Sequence, residues 1–159
     1  MKLDRKILLR GLPMSLSDFL AQRATAFAEK NLAALRDTMA YPCAVVIDDH
    51  MIALAKPADY DRELAVLYQK SAEFGVTHVD TKVLRCRTVG QNGHAEVRFT
   101  GYRADGTKLC DLDGGYLCSR CPDGAWRINM VELVLPETIT GGLEDLKPSR
   151  CPDRKRAGP

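Results

Sequence analysis

Turn signals at Asn92-Gly93, Asp105-Gly106 and Pro122-Asp123-Gly124 cut residues 76–135 into four segments of similar length. This punctuation constrains the fold more than any other feature, because each signal joins two extended segments by a tight hairpin. The segments between them read as strands. In 94–103, Ala95, Val97, Phe99 and Gly101 share one face, while His94, Glu96, Arg98 and Thr100 share the other. In 107–120, Cys110, Leu112, Gly114, Tyr116 and Cys118 form the apolar face. Along 76–89 the faces are not cleanly separated: Val79, Thr81 and Val83 lie on one, Leu84 and Cys86 on the other. A β-bulge between the two groups would reconcile them. In 125–135, Trp126, Ile128, Met130 and Val134 share one face and Val131, Leu133 and Leu135 the other. Apolar residues on both faces predict a central strand or one covered by a partner chain. Pro136 closes the run.

Upstream, residues 15–39 predict a long amphipathic helix. Ser15 with Asp18 resembles a capping box, and Leu16, Leu20, Ala24, Phe27, Leu35 and Met39 recur at helical spacing. Gln22, Arg23, Glu29, Lys30 and Arg36 are assigned to the polar side. Pro42 ends the helix and pushes Tyr41 toward an extended conformation. Short strands follow at 43–48 and 51–55. Pro57 opens a second helix with Tyr60, Leu64, Leu67, Tyr68 and Ser71 inside, and Gly75 stops it. Helices gathered on one side of an antiparallel meander define the α+β class, in the order α-β-β-α-β-β-β-β.

A chain of 159 residues with 45% hydrophobic and 28% charged residues is long enough to bury a core as one domain. We divide it into an N-terminal arm (1–14), a domain (15–136) and a basic, proline-containing tail (137–159). The tail segment 147–159 carries five basic residues against one acid, so the rest of the chain sums to a charge of −2. A near-neutral body argues against nucleic-acid binding. No apolar run approaches a bilayer span, and Arg10 interrupts Ile7-Leu8-Leu9 before a secretory core forms. These features predict a cytoplasmic protein with no membrane contact. Its six cysteines are then reduced. Cys118-Ser-Arg-Cys121 lacks the second pair a structural zinc site needs. Adding Cys151 gives three thiols, one short of a structural zinc set, and no metal or cofactor is expected.

The helix FLAQRATAFAEKNLAALRDTMAYPCAVVID, with a strand directly after Tyr41, and the closing hairpin CPDGAWRINMVEL resemble the NTF2-like superfamily. Its branches include SnoaL-like polyketide cyclases and ketosteroid isomerases. The resemblance covers roughly 15–136 and specifies fold better than activity. It implies a cystatin-like α+β cone, in which a curved antiparallel sheet wraps the long helix and leaves an apolar pocket at its open end. Phe27, Tyr41, Phe99 and Tyr116 are the expected ligand contacts. It also implies a homodimer through the outer sheet face.

Three residues are candidates for chemistry in that pocket. Asp48, with Asp49 beside it, falls where the isomerase branch places its carboxylate base; proton abstraction next to a carbonyl would follow. The plainer reading makes both turn residues. The oxyanion half of that mechanism lacks support, because the helix carries no Tyr. His78, two residues from Asp80, resembles the His–Asp pair of dehydratase branches, although neighbours two apart on a strand splay outward. His50 and His94 sit by turns and read as exposed. Glu132 stands among apolar residues; it is either an acid with a raised pKa, the partner of Arg85 or Arg103, or part of a dimer seam. Asp111-Leu-Asp113-Gly-Gly fails as a calcium loop, since its twelfth position is Pro122. No phosphate loop, dinucleotide fingerprint or hydrolase motif is present. Three readings follow: a binder of a small apolar molecule, a cofactor-free isomerase, cyclase or dehydratase, and a dimeric protein-interaction scaffold.

Overall fold

The structure, a computed structural model, describes residues 13–134. The N-terminal arm up to residue 12, Leu135, Pro136 and the basic tail with Cys151 lie outside the described residues.

The first helix, α1 (Leu16–Ala28), starts as the sequence requires: the Ser15 hydroxyl accepts from the Asp18 N–H at 3.1 Å. It ends earlier than expected. Lys30 adopts φ 54°, and the Asn31 side chain caps a separate short helix, α2 (Leu32–Asp37), by accepting from Ala34 N–H. A polar residue that caps a new turn thus divides the expected 15–39 helix in two. Strand β1 (Met39–Ile47) begins at once, with Tyr41 extended within it. Asp48, at φ 52°, turns the chain into β2 (His50–Leu54). Helix α3 (Pro57–Glu73) has proline in its first turn, and the Asp59 carboxylate accepts from the N–H groups of Ala55 and Lys56.

The meander follows as β3 (His78–Val89), β4 (Asn92–Tyr102), β5 (Lys108–Arg120) and β6 (Trp126–Val134). The six strands form one sheet in the order β2-β1-β6-β5-β4-β3. The expected antiparallel pairing has one exception: β1 runs parallel to β6, which makes the sheet mixed. The second and third hairpins fall where expected, closed by Gly106 N–H to Arg103 O and Gly124 N–H to Cys121 O, both 2.9 Å. The first is displaced. Its turn is Gly90-Gln91, with Gly90 at φ 59°, while Gly93 is a buried strand residue. A Cβ on Gly93 would stand 2.5 Å from Leu16 Cδ2, so glycine is needed there for close approach.

Bulges decide which side chains face the helices. In β3 the register passes from Val83↔Val97 to Arg85↔Glu96, leaving Leu84 as the extra residue, as the mixed faces predicted. In β6 it passes from Leu117↔Met130 to Cys118↔Ile128, leaving Asn129 extra. Trp126, Ile128, Val131 and Leu133 therefore all turn inward, and Met130, Glu132 and Val134 turn outward. This corrects the expected split of β6 into two apolar faces: one extra residue, rather than a covering partner, accounts for the pattern. The core lies between this inner face and the helices. Leu20, Leu35, Leu54, Val97 and Ile128 are fully buried, each contributing about 1.5–3 kcal/mol. Among the described residues no helix is long and apolar enough to cross a membrane.

Candidate functional site

The sheet and helices enclose a cavity of about 500 Å³, within the range of small-molecule sites. Its wall comes from every layer. Phe27 projects from α1; Tyr60, Leu64, Leu67, Tyr68 and Ser71 line it from α3, as their spacing predicted. Val45, Ile47 and Ile52 come from β1 and β2, and Phe99, Leu112, Tyr116, Val131 and Leu133 from the meander. Phe27 lies 5.4 Å from Tyr68 and 5.9 Å from Phe99 between ring centroids, a tilted aromatic group on one flank. The deep end is closed by buried Tyr60 and Tyr116; exposed Val66 marks the opening.

One residue in the wall contradicts its sequence assignment. Arg23, placed on the polar side of the first helix, is 5% exposed and lines the cavity. One guanidinium nitrogen donates to the Thr38 hydroxyl, another to the Tyr60 hydroxyl at 3.1 Å. The group stacks over the Tyr116 ring, 5.3 Å from its centroid. Its Nε–H is buried without a partner. Among the described residues no carboxylate forms an ion pair with it. Burial opposes the charge, but Tyr116 and Tyr60 outweigh it and the Arg23 pKa is raised. Burial pushes the Tyr116 phenol up, against the pull of Arg23. The Tyr68 phenol is likewise pushed up by burial, to about 12. The sequence did hold a signal for Arg23. It lies four residues after Phe19, three after Leu20 and four before Phe27, inside the apolar stripe.

Of the expected contacts, Phe27, Phe99 and Tyr116 line the cavity. Tyr41 does not: its hydroxyl donates to Arg36 O at 3.0 Å, and burial raises its pKa. The three chemical candidates are not brought together, and none is in the cavity wall. Asp48 is an exposed turn residue whose N–H donates to Leu133 O. His78 and Asp80 do meet, at 2.6 Å, but on the exposed side of edge strand β3. Glu132 is exposed on the outer sheet face opposite Gly115 because of the Asn129 bulge. It joins neither anticipated arginine; Arg85 faces Glu96 at 3.9 Å. His94 is exposed beside it, and His50 pairs with Asp49 at 3.3 Å. Among the described residues the carboxylate in the cavity wall is Glu63, 3.6 Å from Arg62. Cys118 is buried and Cys121 half-buried. Among the described residues no three His, Cys, Asp or Glu side chains cluster to hold a metal.

A family model described as "NTF2-like protein (DUF6841)" matches residues 15–134. No curated protein matches the chain. Solved structures share the fold at low identity. A ketosteroid isomerase-like protein from Erwinia carotovora atroseptica is 11% identical at a TM-score of 0.60, covering 79% of this chain and 97% of its own. An NTF2-like protein with a cystatin-like fold from Novosphingobium aromaticivorans is 13% identical at 0.57, covering 80% and 82%. An NTF-2 like protein of unknown function from Shewanella oneidensis is 11% identical at 0.58, covering 76% and 96%.

Proposed function

The chain belongs to the NTF2-like protein family DUF6841, and from that premise we propose that it binds a small, largely apolar molecule in the cavity under its sheet. The observation that carries this reading is an open-mouthed cavity of about 500 Å³ walled by Phe27, Leu64, Leu67, Phe99, Leu112 and Val131. An apolar wall open to water is costly to hydrate, and an apolar guest removes that surface from water. The aromatic residues stand around this space and leave it unfilled, which supports binding over a purely structural scaffold. Binding is also favoured over turnover, since Asp48, His78 and Glu132 are absent from the wall.

The test is titration with a neutral naphthylamine dye whose emission rises in apolar surroundings. Leu112→Trp, which puts an indole into the cavity, should abolish the rise while the chain stays folded by circular dichroism. Asp48→Asn and Glu132→Gln should leave it unchanged. Undiminished dye binding by a folded Leu112→Trp variant would overturn the proposal.

A further inference from the structure

We infer that the molecule taken by this cavity carries a carboxylate at one end, and that Arg23 with Tyr60 receives it. The inference deepens the binding role proposed above and rests on it. A guanidinium is charged at every working pH and offers five N–H donors. Arg23 has one donor on Thr38 and one on Tyr60, and its buried Nε–H has no partner. Its remaining neighbour is Tyr116, which offers both its ring and its hydroxyl to the guanidinium. These partners are neutral. A buried cation with neutral partners is the costly half of an ion pair, since desolvation is offset only when an anion supplies the other charge.

The surroundings fix the chemistry of that anion. Arg23, Tyr60 and Tyr116 are 5%, 4% and 3% exposed, so the charge sits at the closed end. Leu64, Leu67, Phe99, Leu112 and Val131 cover the wall. The Tyr60 hydroxyl accepts from Arg23 and keeps its own proton to donate. A planar, two-oxygen acceptor at the tip of an apolar body suits a guanidinium fork beside a phenol. A multiply charged phosphate would bring more charge than one arginine offsets. Glu63 is the one acidic group of the wall among the described residues, and its side chain is 37% exposed beside Arg62. It repels a carboxylate held near it and so favours entry of the acid end toward Arg23.

The experiment displaces the neutral dye from the full chain with decanoate and, separately, with decanol. The two share an apolar body and differ at the head. Charge-assisted hydrogen bonds predict that decanoate competes roughly ten- to hundredfold better. Arg23→Met should lose the preference, read as the ratio of the two competitors within that variant, and Arg23→Lys should keep part of it. Dye binding with equal competition by acid and alcohol overturns the inference and leaves the binding role intact. A preference for decanoate that survives in Arg23→Met overturns Arg23 as the receiver. Failure of the dye itself removes the binding role and the inference together. The wild-type comparison of the two heads is decisive even where Arg23→Met does not fold.

Discussion

Gly114 and Gly115 are neighbours in one strand, yet alanine should have opposite consequences at the two positions. Gly114 faces inward, paired with Leu133. A Cβ there would lie 2.4 Å from the Glu132 carbonyl oxygen and 3.3 Å from both Leu133 Cδ2 and Phe99 Cε2. The nearest obstacle is backbone, so no rotamer change relieves it. β5 and β6 must separate, which weakens ladder hydrogen bonds and moves two side chains of the cavity wall. Overpacking of this kind costs about 1–3 kcal/mol. The lower entropy of the unfolded alanine chain returns about 0.4–1 kcal/mol. Gly114→Ala should therefore lose about 1–2 kcal/mol net. Gly115 faces outward, and its added Cβ would meet Ala95 O at 3.4 Å and His94 Nε2 at 3.7 Å, ordinary contact distances. There the entropy gain stands unopposed, and Gly115→Ala should be neutral or stabilising by up to about 1 kcal/mol. Urea unfolding followed by circular dichroism measures both, with the midpoint shifting and the slope unchanged. Equal stability of the two variants within about 0.5 kcal/mol would refute the inward approach of β6 on β5.

Two further outcomes are expected. Burial pushes the Cys118 thiol from its ordinary 9.0 up to about 12. A raised folded pKa means that stability is full below pH 9 and falls as pH rises toward 12, at about 1.4 kcal/mol per pH unit; Cys118→Ala should flatten the decline in urea midpoint between pH 8 and 10 under reducing conditions. The exposed outer-face residues Met51, Leu117 and Val134 support a proposed homodimer through that face. Light scattering should give twice the monomer mass, and Leu117→Lys should return it to the monomer; a monomeric wild type at high concentration would end that proposal.

Periodicity made the fold class and the inner face of α3 legible before any coordinates, because both depend on spacing within one element. Tyr60, Leu64, Leu67, Tyr68 and Ser71 needed only the helical repeat. What spacing could not resolve were events that alter the repeat itself. Asn129 adds one residue to β6 and reverses every side chain beyond it, so Glu132 left the interior and Val131 and Leu133 entered it. Asn31 starts a new helix, which breaks the register between Phe27 and Leu35. At Asn92-Gly93 a strong hairpin pair sits two residues past the true turn, because Gly93 is small for Leu16 and Trp126 rather than for the chain reversal. Arg23 departs from expectation for a different reason. Its charge points to the polar side of the helix, while its position inside the apolar stripe points inward. An arginine in such a stripe either extends its head to water along its stem or is held inside by specific partners. Tyr60 and Tyr116 come from α3 and β5 and Thr38 from the turn between α2 and β1, so local sequence could not choose between these outcomes.

The bulges that obscured the face pattern also shape the cavity. Leu84 in β3, Leu109 in β5 and Asn129 in β6 are each unmatched by the neighbouring strand. A bulged strand bends and twists more strongly than a regular one. Three such positions, on β3, β5 and β6, curl the sheet toward the helices. A flat sheet would bring α1 and α3 down on Phe99, Leu112 and Val131 and leave an ordinary packed core. Curvature instead lifts the helices off the centre of the sheet. Arg23 is buried beside this hollow, held by Thr38, Tyr60 and Tyr116. A ligand that fills the hollow while neutralising the buried cation answers both costs together.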